Sequence, residues 1–304
     1  MKVTETYTSC MHVHVRFHIY QPKVILRIKG VVQIHHGFGE HADRYDHFAS
    51  FLLNHGFVVV VSDFVGHGQS LIDFEQGYFG DSAGPENIMK DMLHLYNVIR
   101  MRYPEAPYFM LGVDIGSLFI RKFVSLYGDF VDGILLLGTL ARINHKYIQS
   151  GYLSLMKTIK GPSSKAQQLF TYLHKNWNKK IAQTGEFDWL TSDNEELQRF
   201  LKDPMTHFAY TIQGYKDIIR TVNEVNSDES IAKIPVYLPI YIAEGELDPL
   251  AKGVEKLVEK YKNAKIRDLT YHVFEERRHA LLFEKNKQEI YFDILNWLEE
   301  RTYL

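Results

Sequence analysis

The sequence predicts an α/β fold: a mostly parallel central sheet, helices on its two faces, and a helical cap inserted late in the chain. Three observations carry that expectation. Short apolar runs such as Phe57-Val58-Val59-Val60-Val61 alternate with segments whose apolar residues recur at helical spacing. Those runs are apolar throughout, as strands covered on both faces are. One of them, Tyr108-Phe109-Met110-Leu111, passes through Gly112-Val113-Asp114-Ile115-Gly116 directly into a helical segment, Leu118 to Leu126.

The elements follow in order. Met11 to Ile19 alternates strictly, with Val13, Val15, Phe17 and Ile19 on one side and His12, His14, Arg16 and His18 on the other. That pattern predicts a half-buried antiparallel strand whose histidines form a solvated edge face. Val31 to Ile34 is a buried strand leading into His35-His36-Gly37-Phe38-Gly39-Glu40-His41. Ala42 to His55 places Tyr45, Phe48, Phe51 and Leu52 at helical spacing. The Phe57 to Val61 strand ends in a turn-rich loop, Asp63 to Ser70. A helix begins at Gly84-Pro85, because proline in a first turn forfeits no hydrogen bond. It buries Ile88, Met92, Leu95 and Ile99. Gly133 to Leu137 is the next strand.

The alternation then stops. Residues 141–234 hold only helical fragments, Tyr152–Ile159, Gln167–Trp177, Glu195–Leu201 and Thr211–Val225, separated by loops. This stretch is expected to form a cap over a core built from residues 1–140 and 235–304. Leu238 to Ala243 resumes the sheet and ends in Gly245-Glu246-Leu247-Asp248-Pro249. Gly253 to Lys262 is helical, and Leu269 to Phe274 is the last strand, ending near Arg278-His279. A closing helix puts Ile290, Ile294, Trp297 and Leu298 on one face.

Composition narrows the function classes. The chain has 304 residues, 45% of them hydrophobic, and a formal net charge of −2. No broad basic field points to nucleic acid. A single cysteine, Cys10, leaves no internal disulfide, which fits a reducing compartment. Residues 1–20 lack the apolar core of a signal peptide, and no apolar run approaches the ~20 residues that span a bilayer. A cytoplasmic protein is expected.

The chemistry centres on three strand ends. Glycines two before and two after Asp114, between a strand and a helix, give the geometry of a nucleophile elbow, where neighbouring backbone comes close. Asp248 and His279 follow at later strand ends. Nucleophile, acid and histidine, in that chain order, is the arrangement of the α/β-hydrolase fold, with ligands bound beyond the carboxyl ends of the strands. Asp248 would orient His279, and His279 would act as base. The backbone N–H groups of Phe38 and Ile115 would form the oxyanion hole. His35, His36, Glu40 and His41 match no helical zinc spacing, so no metal and no cofactor is expected. Glu40, His41 and Arg44 would brace the loop by charge pairing. Ser117, a helical step past the elbow, should point away.

His36-Gly37-Phe38-Gly39-Glu40-His41 with Arg44-Tyr45, and Asp63-Phe64-Val65-Gly66-His67-Gly68-Gln69-Ser70, resemble the monoacylglycerol lipase and lysophospholipase branch of the α/β hydrolases. Gly245-Glu246-Leu247-Asp248-Pro249 and Arg278-His279 resemble its acid and histidine regions. Asp188-Trp189-Leu190 and Asp203-Pro204 resemble the cap of bacterial members. The resemblance spans Gly30 to Leu298. It implies a hydrolase of lipid-like carboxylic esters, with Phe38 and Ile115 as oxyanion residues, Asp248 as acid and His279 as base. The family's usual elbow reads Gly-His-Ser-x-Gly, so Asp114 stands at the serine's position, and Ala280 where relatives usually have Glu.

An aspartate changes the available chemistry. Attack on an ester carbonyl would give an anhydride, which is energetically poor. Attack on saturated carbon, as in an epoxide, would give an alkyl ester on the enzyme. Three functions are therefore open: an ester hydrolase with altered or weak activity, an Asp-nucleophile hydrolase of an epoxide-like substrate, and an inactive lipid-binding protein. The second needs an acid for the leaving alkoxide, and Tyr147, Tyr152, Tyr172, Tyr210 and Tyr215 are available. Cap residues such as Tyr152, Leu155, Met156, Tyr172 and Trp177 are expected mainly to pack on the core. Lining an acyl pocket, or transient contact with a membrane surface, is the alternative.

Overall fold

A computed structural model describes residues 1–302 apart from 25–26, 73–74, 144–145, 179–180 and 182–184. Eight strands form one sheet: β1 (Lys2–Thr8), β2 (His14–Tyr20), β3 (Gly30–His35), β4 (Phe57–Ser62), β5 (Tyr108–Val113), β6 (Gly133–Leu137), β7 (Ile240–Gly245) and β8 (Leu269–Phe274). Their spatial order is β1-β2-β4-β3-β5-β6-β7-β8. Both pairings of β2, with β1 and with β4, are antiparallel, and the other pairs are parallel. Every residue of β3 to β7 is buried, as two-sided cover of a parallel sheet requires.

The crossovers explain where the helices lie. From β3 to β4, through α1 (Asp46–Asn54), the chain moves one way along the sheet. From β4 to β5, through α2 (Gly84–Arg102), it moves the other way. Right-handed crossovers then put α1 on one face and α2 on the other. The next step, through α3 (Ile115–Tyr127), keeps the second direction, and α2 packs against α3. The order of strands thus reverses at the β3–β5 pair, and a ligand crevice is expected beyond their carboxyl ends. The Phe38 loop and the Asp114 elbow both start there.

Between β6 and β7 the chain forms α4 (Lys146–Lys160), α5 (Gln167–Trp177), α6 (Asn194–Lys202), α7 (Ile212–Val225) and the short α8 (Asp228–Ala232). Of these, α7 packs on α3, α2 and α4. Its start is fixed by Thr211, whose hydroxyl accepts the Gly214 N–H at 3.0 Å. Then come α9 (Val254–Asn263) and α10 (Gln288–Glu300), the latter packed on α1.

Some local expectations change. The helix read over Ala42–His55 opens with a 3-10 turn, Ala42–Tyr45, before α1 begins. The Leu238 strand starts two residues later, at Ile240. His18 is not on a solvated face: it is 1% exposed, between Thr4 at 2.9 Å and Asp43 at 2.8 Å. The reason is twofold: β1 pairs along the edge of β2 and sets Thr4 beside His18, and Asp43 of the 3-10 turn meets the ring's other nitrogen. The alternating, half-exposed sequence of β1 gives no apolar run that announces it.

Arg121 ties α3 to the segment between β6 and β7. It is 1% exposed and donates to Val225 O at 3.0 Å, Asn226 Oδ1 at 2.7 Å, Leu140 O at 3.3 Å and Tyr261 Oη at 3.1 Å. Removing it leaves buried acceptors without a donor. In urea denaturation we expect Arg121→Ala to lower stability by about 2–4 kcal/mol. Arg102→Ala, which breaks the more exposed pair with Glu5, should cost about 1 kcal/mol or less.

Candidate active site

The elbow is built by close approach. A Cβ at Gly112 would lie 2.5 Å from Ser117 N, and one at Gly116 would lie 2.2 Å from His35 O. Only glycine lets α3 press onto the ends of β5 and β3. Between them Asp114 takes φ 48° and ψ −114°, a strained conformation for a residue with a Cβ. Its N–H donates to Leu137 O at 2.9 Å. Ser117 is buried and bonded to Asp114 O and Thr139 Oγ1, away from the cavity residues described below.

The three strand ends converge. His279 Nδ1 lies 2.8 Å from Asp248 Oδ2, and His279 Nε2 lies 3.8 Å from Asp114 Oδ2. Asp248 Oδ1 accepts the N–H of Leu250 at 2.7 Å, so both its oxygens are engaged. His279 is 2% exposed and Asp248 1%. Burial alone would disfavour a charged imidazole, but the Asp248 carboxylate and then Asp114 outweigh it and hold His279 up at about 10. Two carboxylates thus flank one imidazolium.

Asp114 Oδ2 also accepts the backbone N–H of Phe38 at 2.9 Å. The loop that presents this donor is held from several sides. Glu40 Oε1 accepts Gly37 N–H at 2.6 Å and the Tyr45 hydroxyl at 2.5 Å, and Glu40 pairs with Arg44. His41 Nε2 meets Asp203 at 2.7 Å. Gly39 donates to Tyr210 Oη at 3.2 Å and accepts from His207 N–H at 2.9 Å. The Phe38 ring stacks on Tyr210 with centroids 4.0 Å apart, and Tyr210 Oη bonds to His67. Glu40, His41 and Arg44 therefore pair as their charges suggested. The clamp from His207 and Tyr210 was not legible, because both lie far along the chain in a loop without a motif. Ile115, the second expected donor, is fully buried at the start of α3.

A cavity of about 310 Å³ stands over Asp114, lined by Phe38, Ile115, Leu173, Trp177, Tyr215 and Ile219 among others. Of the five tyrosines, Tyr147 is 82% exposed and Tyr152 bonds Gln168. Tyr210 is committed to the loop, and Tyr172 and Tyr215 reach the cavity. Trp189, from the Asp188-Trp189-Leu190 motif, stands 5.2 Å from the His279 ring, centroid to centroid. The His279 N–H and Ala280 N–H donate to Trp189 O and Leu190 O.

The family model described as serine aminopeptidase, S33, matches residues 27–286. The chain belongs to this family. Rat monoglyceride lipase is 26% identical over 281 residues, covering 90% of this chain and 83% of that protein. A monoglyceride lipase homolog of monkeypox virus is 33% identical over 112 residues, 36% of this chain and 39% of that one. The solved carboxyl esterase of Bacillus coagulans superposes with a TM-score of 0.88 at 26% identity, over 99% of both chains. A soluble variant of Saccharomyces cerevisiae monoglyceride lipase has a TM-score of 0.77 at 18% identity, over 95% of this chain and 92% of that one, a likeness of fold. The chain is a monoglyceride lipase-like α/β-hydrolase.

The electrostatics give a pH dependence. His279 has a folded pKa of about 10, above its unfolded value of ~6.5. Its contribution to stability is therefore complete below pH ~6.5 and lost as pH rises through about 10. We expect Asp114→Asn to lower the His279 pKa by about 1–3 pH units, read from imidazole NMR titration. An unchanged titration would show that Asp114 does not act on His279.

Proposed function

We propose that this chain is a lipid-directed hydrolase of the monoacylglycerol lipase and lysophospholipase type in which Asp114 occupies the nucleophile position and ester hydrolysis is weak. In this reading residues 141–234 form a cap on a core of residues 1–140 and 235–304. Asp248 orients His279, and Phe38 and Ile115 supply the oxyanion donors. The apolar cavity and the names of the relatives, monoglyceride lipases, support a lipid-like ligand.

One observation carries the reading: the Phe38 N–H is already taken by Asp114 Oδ2. In serine chemistry that donor waits for the oxygen of the substrate's carbonyl. Here an incoming ester meets a carboxylate where it needs a donor. The carboxylate is also a poor nucleophile toward that carbon. Both effects act against ester hydrolysis.

The same contact favours a second reading, in which Asp114 attacks a saturated carbon of an epoxide-like substrate. The carbon–oxygen bond of the ring breaks, and the alkoxide takes a proton. His279, charged at neutral pH, can supply it. Asp114 is then a neutral alkyl ester, so only Asp248 still holds the imidazole's pKa up, and His279 becomes a competent base for water. Water attacks the Asp114 carbonyl carbon as His279 takes its proton, and the oxyanion forms on an oxygen of Asp114 itself, which Phe38 N–H already holds. Collapse then breaks the ester carbon–oxygen bond, and the leaving alkoxide takes the proton from His279 and departs as the diol. The new Asp114 carboxyl group gives its proton to His279, so the Asp114 carboxylate and charged His279 are restored.

Assays of the protein and of Asp114→Ser on short-chain monoacylglycerols separate these readings. We expect Asp114→Ser to hydrolyse esters roughly a thousandfold faster than the parent chain, because hole and dyad stay in place. Intact mass after incubation with styrene oxide tests the second reading: an adduct that vanishes in Asp114→Asn supports it. A parent chain that hydrolyses esters as fast as Asp114→Ser would contradict the first. Ligand binding with no turnover by either protein would instead mark an inactive lipid-binding protein.

A further inference from the structure

The cavity over Asp114 carries opposite charges at its floor and at its rim. Among its described lining residues three are charged: Asp114, Arg142 and Lys252. Asp114 is 5% exposed and marks the inner end, with Phe38 and Ile115. Arg142 and Lys252 are exposed and mark the outer end. They come from the segments that follow β6 and β7, which are neighbours in the sheet. Those segments touch: a Cβ at Gly253, next to Lys252, would lie 3.5 Å from Cβ of Arg142. Leu140, Ile143, Trp177, Ile218, Ile219 and Leu250 give the cavity an apolar wall.

Among the described residues, neither Arg142 nor Lys252 meets a carboxylate. Asp248 is close to Lys252 in the chain, but its two oxygens are taken by His279 and by the Leu250 N–H. An anion at the rim would therefore gain two cations, and it would keep contact with water, so little desolvation opposes it. The inner end is the reverse. In serine ester hydrolysis the product carboxylate forms at the elbow; here a carboxylate already stands there, on the Phe38 N–H, and repels a second one. The apolar wall favours a hydrocarbon chain and penalises a charge.

We propose that the cavity takes a single-chain amphiphile with its anionic head outward. The head, a carboxylate or a phosphate ester, meets Arg142 and Lys252, and the chain runs inward toward Asp114. A guanidinium can hold either head through paired N–H donors, and the lysine adds a point charge. The group that reacts is then carried along the chain, away from the charged end. A neutral monoacylglycerol leaves both cations unused, and a quaternary ammonium head is repelled by them, so the rim selects by charge. The proposal rests on the lipid-directed reading and deepens it by naming the ligand's charge and its orientation.

The test is calorimetric titration of the full chain with ligands of one chain length, below their micelle concentrations: decanoate, decyl phosphate, 1-decanol and decyltrimethylammonium. The two anions should bind about five- to tenfold more tightly than the alcohol, and the margin should shrink in high salt. Arg142→Gln with Lys252→Gln should remove the margin and leave 1-decanol binding and the melting temperature unchanged, since both side chains are exposed. Asp114→Asn reads the orientation. A head at the rim leaves decanoate affinity within about twofold, whereas a head at the elbow would gain about tenfold or more from the lost repulsion. Equal binding of anions and alcohol, a preference that survives the double variant, or decyltrimethylammonium binding as tightly as decanoate would overturn the proposal while the lipid-directed reading stands. Acetate or inorganic phosphate binding as tightly as the ten-carbon anions would mark a plain anion site and overturn it as well. Binding of none of the ten-carbon ligands would contradict both.

Discussion

The site depends on one oxygen atom. Asp114 Oδ2 is 2.9 Å from the Phe38 N–H and 3.8 Å from His279 Nε2. A serine hydroxyl sits one atom beyond Cβ, whereas a carboxylate oxygen sits two. The extra reach carries Asp114 past the position of a serine oxygen and onto the donor of the loop after β3. In the proposed reading, that puts a carboxyl oxygen where an ester hydrolase needs an unoccupied hydrogen-bond donor.

The fold makes this contact possible at a distance of 76 residues. The reversal of strand order at β3 and β5 brings the loop and the elbow together, and Gly116 lets them touch. The left-handed backbone at Asp114 lifts the side chain off the sheet. Asp248 and His279 then close the ring of charge from β7 and β8. Two carboxylates around one buried imidazole favour its protonated form. A residue that is charged at rest can give a proton, and it can accept one only after a neighbouring negative charge has been removed. Esterification of Asp114 is one way to remove it.

Much of this was legible because it is local. The strands β3 to β8 and helices α2, α3, α5 and α10 announce themselves through periodicity, and the elbow glycines through spacing. Asp114, Asp248 and His279 could be paired because each ends a strand, and a parallel sheet collects such ends at one edge. What stayed hidden depends on partners distant in sequence. β1 has a half-exposed alternating pattern, and without it His18 reads as solvated. Tyr210 looked like one of five equivalent tyrosines until its hydroxyl was seen to hold Gly39. The direction of the Asp114 carboxylate is a matter of rotamer and reach, which no residue pattern encodes.

The most direct measurement is the amide resonance of Phe38 in protein labelled with 15N-phenylalanine, assigned by loss of its peak in Phe38→Leu. If the carboxylate of Asp114 accepts this N–H, its proton resonates well downfield and moves sharply upfield in Asp114→Ala, while distant phenylalanine amides stay in place. A Phe38 amide indifferent to the loss of Asp114 would contradict the contact and the functional reading built on it.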